Sequence, residues 1–259
     1  MIGGTCMKDS RINEMKEYIE KCGTVSMEDL SREFKVSLVT VRRDVSELQQ
    51  TGLIEKVYGG VRKKSGGNLI AFEEREIRNI DGKMAIGRRA AELVADQDII
   101  FIDSGTTTAC VVDFLEGKQV TVITSSLEVI EKAVKLDNIE LICVTGIYNK
   151  TTNSFAGIDT AEALGKYNIT KAFMAASGIT IESGITHASP WEYDIKTTAV
   201  RKAGQVILMA DESKFDAVTL VTYCMLPQVH TVITDVRPSE EFVEYFEEQG
   251  IDLQIAGQK

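Results

Sequence analysis

The stretch Ser37-Leu38-Val39-Thr40-Val41-Arg42-Arg43-Asp44-Val45-Ser46-Glu47-Leu48-Gln49-Gln50 decides how the first quarter of the chain is read. Val41, Val45 and Leu48 recur at i, i+4, i+7, the spacing of one buried stripe on a helix. At 100° per residue the opposite face then carries Val39, Arg43, Ser46 and Gln50, with Thr40 and Arg42 on its flanks. These side chains suit a major groove. Arg pairs bidentately with guanine O6/N7, Gln pairs with adenine, and a Val39 methyl meets the methyl of thymine. For Arg42 the alternatives are a phosphate contact or a carboxylate partner such as Asp44.

Two more short amphipathic patterns lie N-terminal to it: Ile12, Met15 and Ile19, then Met27, Leu30 and Phe34, each at i, i+3, i+7. Gly23 is placed to end the first helix, and Ser26 with Asp29 caps the second. Lys35-Val36 makes a tight turn and Ser37 caps the third helix. Helix, short turn and helix make the helix-turn-helix arrangement, whose second helix reads DNA. C-terminal to it, Leu53-Ile54-Glu55-Lys56-Val57-Tyr58, Gly59-Gly60 and Val61-Arg62-Lys63-Lys64 read as two strands about a double-glycine turn, the wing of a winged helix. The candidate DNA-contacting set is Ser37, Val39, Thr40, Arg42, Arg43, Ser46, Gln50, Tyr58, Arg62, Lys63 and Lys64. The competing reading of the spacing alone is a three-helix bundle with solvated charges.

Charge separates these readings. The 259 residues carry a net charge of −10, which by itself argues against nucleic acid. Yet residues 1–65 hold 12 basic and 10 acidic side chains, leaving 17 basic and 29 acidic for residues 66–259. A small basic module thus precedes a large acidic one, which favours DNA binding for the first. No run approaches the roughly 20 apolar residues of a membrane span, and the first residues lack an apolar signal core. We therefore expect a cytoplasmic protein with no membrane partner. The five cysteines form no C-x-x-C pair and there are two histidines, so neither a disulfide framework nor a metal site is expected.

From Val25-Ser26-Met27-Glu28-Asp29-Leu30 through Phe34-Lys35-Val36-Ser37, Thr40-Val41-Arg42-Arg43-Asp44-Val45-Ser46-Glu47-Leu48, Gly52-Leu53-Ile54 and Gly59-Gly60-Val61, the chain closely resembles the N-terminal domain of DeoR-family bacterial transcriptional regulators.

Beyond the short junction Ser65-Gly66-Gly67-Asn68, Phe72 to Asn79 reads as a charged connecting helix. Apolar runs then alternate with helical patterns. Strands are expected at 99–102, 120–123, 139–144, 171–176, 206–210, 219–223, 231–234 and 253–255, and helices at 83–94, 108–115, 127–135, 160–167, 190–202 and 239–249. This alternation predicts a mainly parallel, Rossmann-like α/β sheet covered by helices, with ligands at the C-terminal strand ends. The expected organisation is 1–64 winged helix-turn-helix domain, 65–80 linker and connecting helix, and 81–259 α/β effector-binding domain.

The polar signal concentrates at those strand ends. Asp103-Ser104-Gly105-Thr106-Thr107-Thr108 follows one strand and precedes a helix, a composition that fits either a phosphate cradle or ordinary capping. Thr124-Ser125-Ser126, Ser177-Gly178 and Asp211-Glu212-Ser213-Lys214 follow others. Lys214 reads as a point charge for an anionic ligand or as a solvated lysine, and Asp103 or Asp211 as acceptors for sugar hydroxyls. No dinucleotide fingerprint, P-loop or Ser-His-Asp signature is present, so no cofactor is expected, and His187 and His230 read as surface or structural histidines.

This region also resembles the DeoR-family effector domain, itself similar in fold to ribose-5-phosphate isomerase. The marks are Phe72 with Arg75, Lys83, Asp103 through Thr108, Thr124 with Ser126, Ser154 with Gly157, Lys171-Ala172-Phe173, Gly184 with Thr186, and Asp211 through Phe215. The resemblance implies a repressor of a carbohydrate or nucleoside operon that responds to a phosphorylated sugar or related metabolite, binds double-stranded operator DNA, and works as a homo-oligomer, dimer or tetramer. It nominates Asp103 through Thr108, Thr124 with Ser126, and Lys214 for the ligand. Two departures stand out: Ala175-Ala176-Ser177-Gly178 replaces the family's usual Gly-Ala-Asp-Gly, and Ser125 is the middle of its Thr-Asn-Ser. The lost carboxylate points to an altered ligand or a reduced response. A sugar-phosphate isomerase using Asp103 or Asp211 with Lys214 is the competing function, and a protein whose helices serve only dimerisation is a third.

Overall fold

The computed structural model describes residues 11–257 except 13, 17, 20, 21, 23, 51–53, 58, 59 and 64–71, and at 24, 47, 49, 50, 55–57, 62, 63, 73 and 158 it describes the backbone course alone. The chain divides into two compact units, 1–68 and 69–259.

In the first unit the described residues between 11 and 22 are helical. They are followed by β1 (Thr24–Ser26), α1 (Met27–Glu33), α2 (Leu38–Gln50), β2 (Ile54–Val57) and β3 (Gly60–Lys63). Ser26 caps α1, accepting from the Asp29 N–H at 3.0 Å, and the Ser37 hydroxyl accepts from the Thr40 N–H at 3.2 Å at the start of α2. Between the two helices Lys35 turns through the left-handed region at φ 50° and lets the Val36 N–H reach the Ser31 carbonyl. Met15, Ile19, Leu30, Val41, Val45 and Leu48 close one core, as their spacing requires. The wing strands pair antiparallel, Ile54 opposite Lys63. β1, which the helical spacing concealed, adds a third strand on β3, with Ser26 opposite Gly60. The approach is so close that a Cβ at position 60 would stand 2.4 Å from the Val25 carbonyl oxygen, so the β1 contact requires glycine there. The expected stop at Gly23, the turn residues Tyr58 and Gly59, Lys64 and the junction 65–68 lie outside the described residues.

The second unit opens with α3 (Phe72–Ile77) and α4 (Ile80–Glu92). Asn79, left-handed at φ 49°, reverses the chain between them and starts α4 three residues before Lys83, where the pattern had suggested. There follow β4 (Ile99–Ile102), a 3-10 helix (Thr108–Phe114), β5 (Val120–Thr124), α5 (Leu127–Ala133), β6 (Ile139–Cys143), β7 (Ile147–Asn149), β8 (Ser154–Ala156), α6 (Ile158–Leu164), β9 (Ile169–Ala175), β10 (Gly178–Thr180) and β11 (Gly184–His187). The chain ends through α7 (Tyr193–Lys202), β12 (Ala203–Met209), β13 (Val221–Cys224), β14 (Thr231–Thr234), α8 (Glu240–Gln249) and β15 (Asp252–Ile255).

Seven strands form an all-parallel sheet in the order β15-β14-β12-β9-β4-β5-β6. Successive side chains face opposite layers. Phe101, Ala172, Met174, Val206 and Leu208 pack with α6, α7 and α8, whereas Ile100, Ile102, Phe173, Ile207 and Met209 pack with α4, α5 and the 3-10 helix. Both faces being covered explains why these strands read as unbroken apolar runs. Three local expectations are corrected. Residues 108–114 form a 3-10 rather than an α-helix. The strand expected at 219–223 runs at 221–224 and leaves the parallel sheet to pair antiparallel with β11 in a β10-β11-β13 sheet. The β7-β8 and β10-β11 hairpins were missed because three- and four-residue strands carry too few alternations to register. No described helix is long and apolar enough to cross a membrane.

Candidate functional site

In the first unit the outward face of α2 stands as its periodicity requires. Val39 is 75% exposed, and Arg42 and Arg43 are exposed beside it. Ser46 and Thr40 are half-buried; the Ser46 hydroxyl donates to the Arg42 carbonyl at 2.7 Å, and Thr40 engages Ser37. Asp44 is fully buried, and its partner is Arg11, with Nε donating to Oδ2 at 2.9 Å, while Arg43 Nε lies 3.9 Å from the other oxygen. Arg11 therefore takes the carboxylate considered for Arg42. The side chains of Gln50, Arg62 and Lys63, and the whole of Tyr58 and Lys64, lie outside the described residues.

In the second unit the chain runs from β4 to β5 and β6 on one side, then returns to β9 and β12 on the other. The switch point falls between β4 and β9, where open α/β sheets bind ligands beyond the strand ends. The four polar segments predicted to converge follow the contiguous strands β12, β9, β4 and β5, so they emerge at one edge. Gly105 lies so near the end of β9 that a Cβ there would stand 2.3 Å from Ala175 Cβ. Ser177-Gly178 runs beside the segment after β12, with Ile179 bridged to Phe215 and the Ser177 N–H on the Thr186 carbonyl.

Much of this polarity is spent within the fold. Asp103 is 1% exposed; Oδ1 accepts from the Ser104 N–H and Oδ2 from the Ala175 N–H, each at 2.9 Å. Oδ2 also pairs with the ammonium of Lys196, itself wholly buried and 5.2 Å from the Tyr223 ring centre. The Thr108 hydroxyl bonds the backbone of Asp103 and Gly105. That of Thr124 donates to the Ile102 carbonyl at 2.7 Å, Ser126 caps α5, and the Ser125 carbonyl accepts from the Phe155 N–H. Asp211 caps the short turn Glu212–Lys214. Thr106 and Thr107, in the same segment, are buried.

Two lysines supply positive charge. Lys83, on α4, is 4% exposed; burial holds its ammonium below the usual lysine value, with Lys214 and Arg75 adding repulsion and Asp211 opposing them. Lys214 is half-buried and shifted down by the same cause, again opposed by Asp211 and reinforced by Arg75 and Arg78. Lys83 also feels Cys110, against which Gly87 of the same helix packs, so it borders the segment after β4. An anion near two partly desolvated ammoniums would relieve their mutual repulsion.

A second buried cluster escaped sequence reasoning. Glu192, 1% exposed, accepts from the hydroxyls of Ser104 and Ser154 on one oxygen, and its other oxygen lies 3.3 Å from His187 Nε2. Burial, then Lys196, pushes His187 down to about 3, so the ring is neutral at pH 7. The signal was available: Glu192, Ile195, Lys196 and Ala199 share one buried helical stripe. Two surface clefts of about 360 and 630 Å³ lie elsewhere, one at the N-terminal ends of β5 and β6 and one along β15, away from these groups.

Comparison with known proteins agrees. Residues 11–65 match the DeoR-like helix-turn-helix domain and residues 78–236 the DeoR C terminal sensor domain. The chain is 44% identical to the HTH-type transcriptional regulator IolR of Bacillus subtilis (strain 168) over 96% of its own length and 100% of the relative's. It is 29% identical to the lactose phosphotransferase system repressor of Streptococcus mutans serotype c, over 90% and 94%. A likeness to ribose 5-phosphate isomerase A of Methanocaldococcus jannaschii is partial, with TM-score 0.39, 20% identity and 53% and 55% of the two chains, and it carries no argument here. With both of its units matched in order and its relatives named as regulators rather than enzymes, the chain belongs to the DeoR family of helix-turn-helix transcriptional regulators.

Proposed function

We propose that this regulator represses a carbohydrate or nucleoside catabolic operon and is controlled by a phosphorylated sugar bound beyond the strand ends of its sensor unit. The observation that carries this reading is the gathering of four polar segments, with Lys214 in the turn after β12, beyond the ends of the contiguous strands β12, β9, β4 and β5 at the switch point, and burial that depresses the ammoniums of Lys83 and Lys214 accompanies it. The phosphate lies between these ammoniums, the hydroxyls of Thr106 and Thr107, and the N–H groups of Thr106 to Thr108, those of Asp103, Ser104 and Gly105 being engaged within the fold. Ser177, Gly178, Thr124, Ser125 and Ser126 form the remaining wall, with Asp211 available to a sugar hydroxyl. Asp103, whose two oxygens are already engaged, shapes the site by holding the segments after β4 and β9 together. Arg43, Gln50 and Arg42 read bases, while Arg62, Lys63 and Lys64 neutralise phosphates. Half-site recognition calls for a homo-oligomer. The sugar-related name of the streptococcal relative supports the ligand class.

Thermal unfolding with a panel of hexose and pentose phosphates tests the site. At least one raises Tm in the parent and not in Lys214→Ala, and a shift that survives the substitution removes Lys214 from the site.

A further inference from the structure

Helix α3 is the first described element after the junction. At six residues it is too short to persist by its own hydrogen bonds. Phe72 is buried, whereas Glu74, Glu76 and Ile77 are exposed. Arg75 ties the helix to the β7-β8 turn, donating from Nη2 to the Thr151 carbonyl at 3.3 Å, and stands over the Phe72 ring at 5.4 Å. A further tie comes from the next helix: the Lys83 ammonium donates to the carbonyl of Arg75. That carbonyl belongs to the last turn of α3, where helix acceptors lack partners of their own.

Lys83 therefore serves two places. Its ammonium terminates α3, and the start of its own helix is joined to the Glu212–Lys214 turn through Asp235, which accepts from the Asn79 side-chain amide at 2.6 Å and from the Glu212 N–H at 2.9 Å. We propose that Lys83 is a latch: without ligand it closes the end of α3, and a phosphate dianion arriving beside Lys214 draws the ammonium away and frees that helix. The competition runs in this direction because an ammonium–phosphate hydrogen bond is charge-assisted at both ends and outweighs one to a neutral carbonyl. The ligand thus binds the unlatched arrangement better, as any shift of a conformational equilibrium requires. A short helix between sensor and DNA-binding unit in sequence is where such a shift costs least. The inference rests on the crevice being an anion site and adds how occupancy leaves it.

Hydrogen exchange of residues 72–79, followed by mass spectrometry on the full chain at constant ionic strength with and without inorganic phosphate, tests this. Loss of one hydrogen bond to a charged donor corresponds to about tenfold faster exchange. The parent shows that acceleration on adding phosphate; Lys83→Met shows it without phosphate and gains nothing further. Lys214→Ala loses the phosphate response. The parent measurement stands whether or not Lys83→Met folds. Exchange in Lys83→Met at the parent level overturns the latch. Phosphate that raises Tm through Lys214 yet leaves exchange of 72–79 unchanged overturns the latch while keeping the anion site. A parent indifferent to phosphate in both Tm and exchange removes the anion site and the latch together.

Discussion

Replacing Lys196 by methionine strands a carboxylate. Lys196 and Asp103 are both essentially inaccessible, at 0% and 1% side-chain exposure, and in Lys196→Met the Asp103 charge keeps only the N–H groups of Ser104 and Ala175. Breaking a buried pair by removing one partner costs about 3–5 kcal/mol. The Tyr223 ring also loses its cation, an effect the methionine sulfur partly offsets, since sulfur–aromatic contacts contribute roughly 0.3–1.5 kcal/mol. With a urea dependence of about 2 kcal/mol per molar, the midpoint falls by roughly 1.5–2.5 M. The assay is urea unfolding followed by fluorescence of Trp191, the chain's single tryptophan, which sits in the second unit and reports on that unit. In the double variant Asp103→Asn/Lys196→Met both charges are gone, and its loss is smaller than that of Lys196→Met alone. A midpoint for Lys196→Met within about 0.5 M of the parent, or a double variant as unstable as the two singles added, refutes the reasoning.

Between pH 7 and 5 the second unit loses about 2 kcal/mol through His187, since its folded value near 3 lies below that of the unfolded chain, which binds the extra proton. This stability is complete above about 6.5 and declines as pH falls toward the folded value; His187→Gln flattens the slope, and a parallel slope in the variant removes the assignment. Gly105→Ala forces a Cβ into Ala175 and costs about 1–3 kcal/mol in the same assay, whereas an unchanged midpoint means the two segments are not packed as described. Arg43→Ala weakens binding to a selected operator duplex by about 1–3 kcal/mol and relaxes base preference at one position; equal affinity for parent and variant excludes Arg43 from base reading.

The helix-turn-helix was legible because each of its features is local: a stripe at i, i+4, i+7, two serine caps and a tight turn at Lys35-Val36. The parallel sheet was equally plain, since strands buried on both faces need unbroken apolar runs such as Ile99–Ile102. What stayed hidden depends on distant partners. Nothing near Asp103 in sequence announces that its charge is neutralised by Lys196, 93 positions away, or that Glu192 gathers Ser104, Ser154 and His187. The hydroxyls of Thr108, Thr124 and Ser126 prove to stitch backbone together, the capping alternative that composition alone left level with a phosphate cradle.

The charge split between a basic reader and an acidic sensor acquires meaning only if one controls the other. Fluorescence anisotropy of a labelled operator duplex, titrated with the full chain in the presence and absence of each sugar phosphate at fixed salt, tests this most directly. The account predicts that a sugar phosphate which raises Tm also changes DNA affinity severalfold, and that Lys214→Ala abolishes the change. DNA affinity that stays the same with every bound phosphate, or a response that persists in Lys214→Ala, contradicts it.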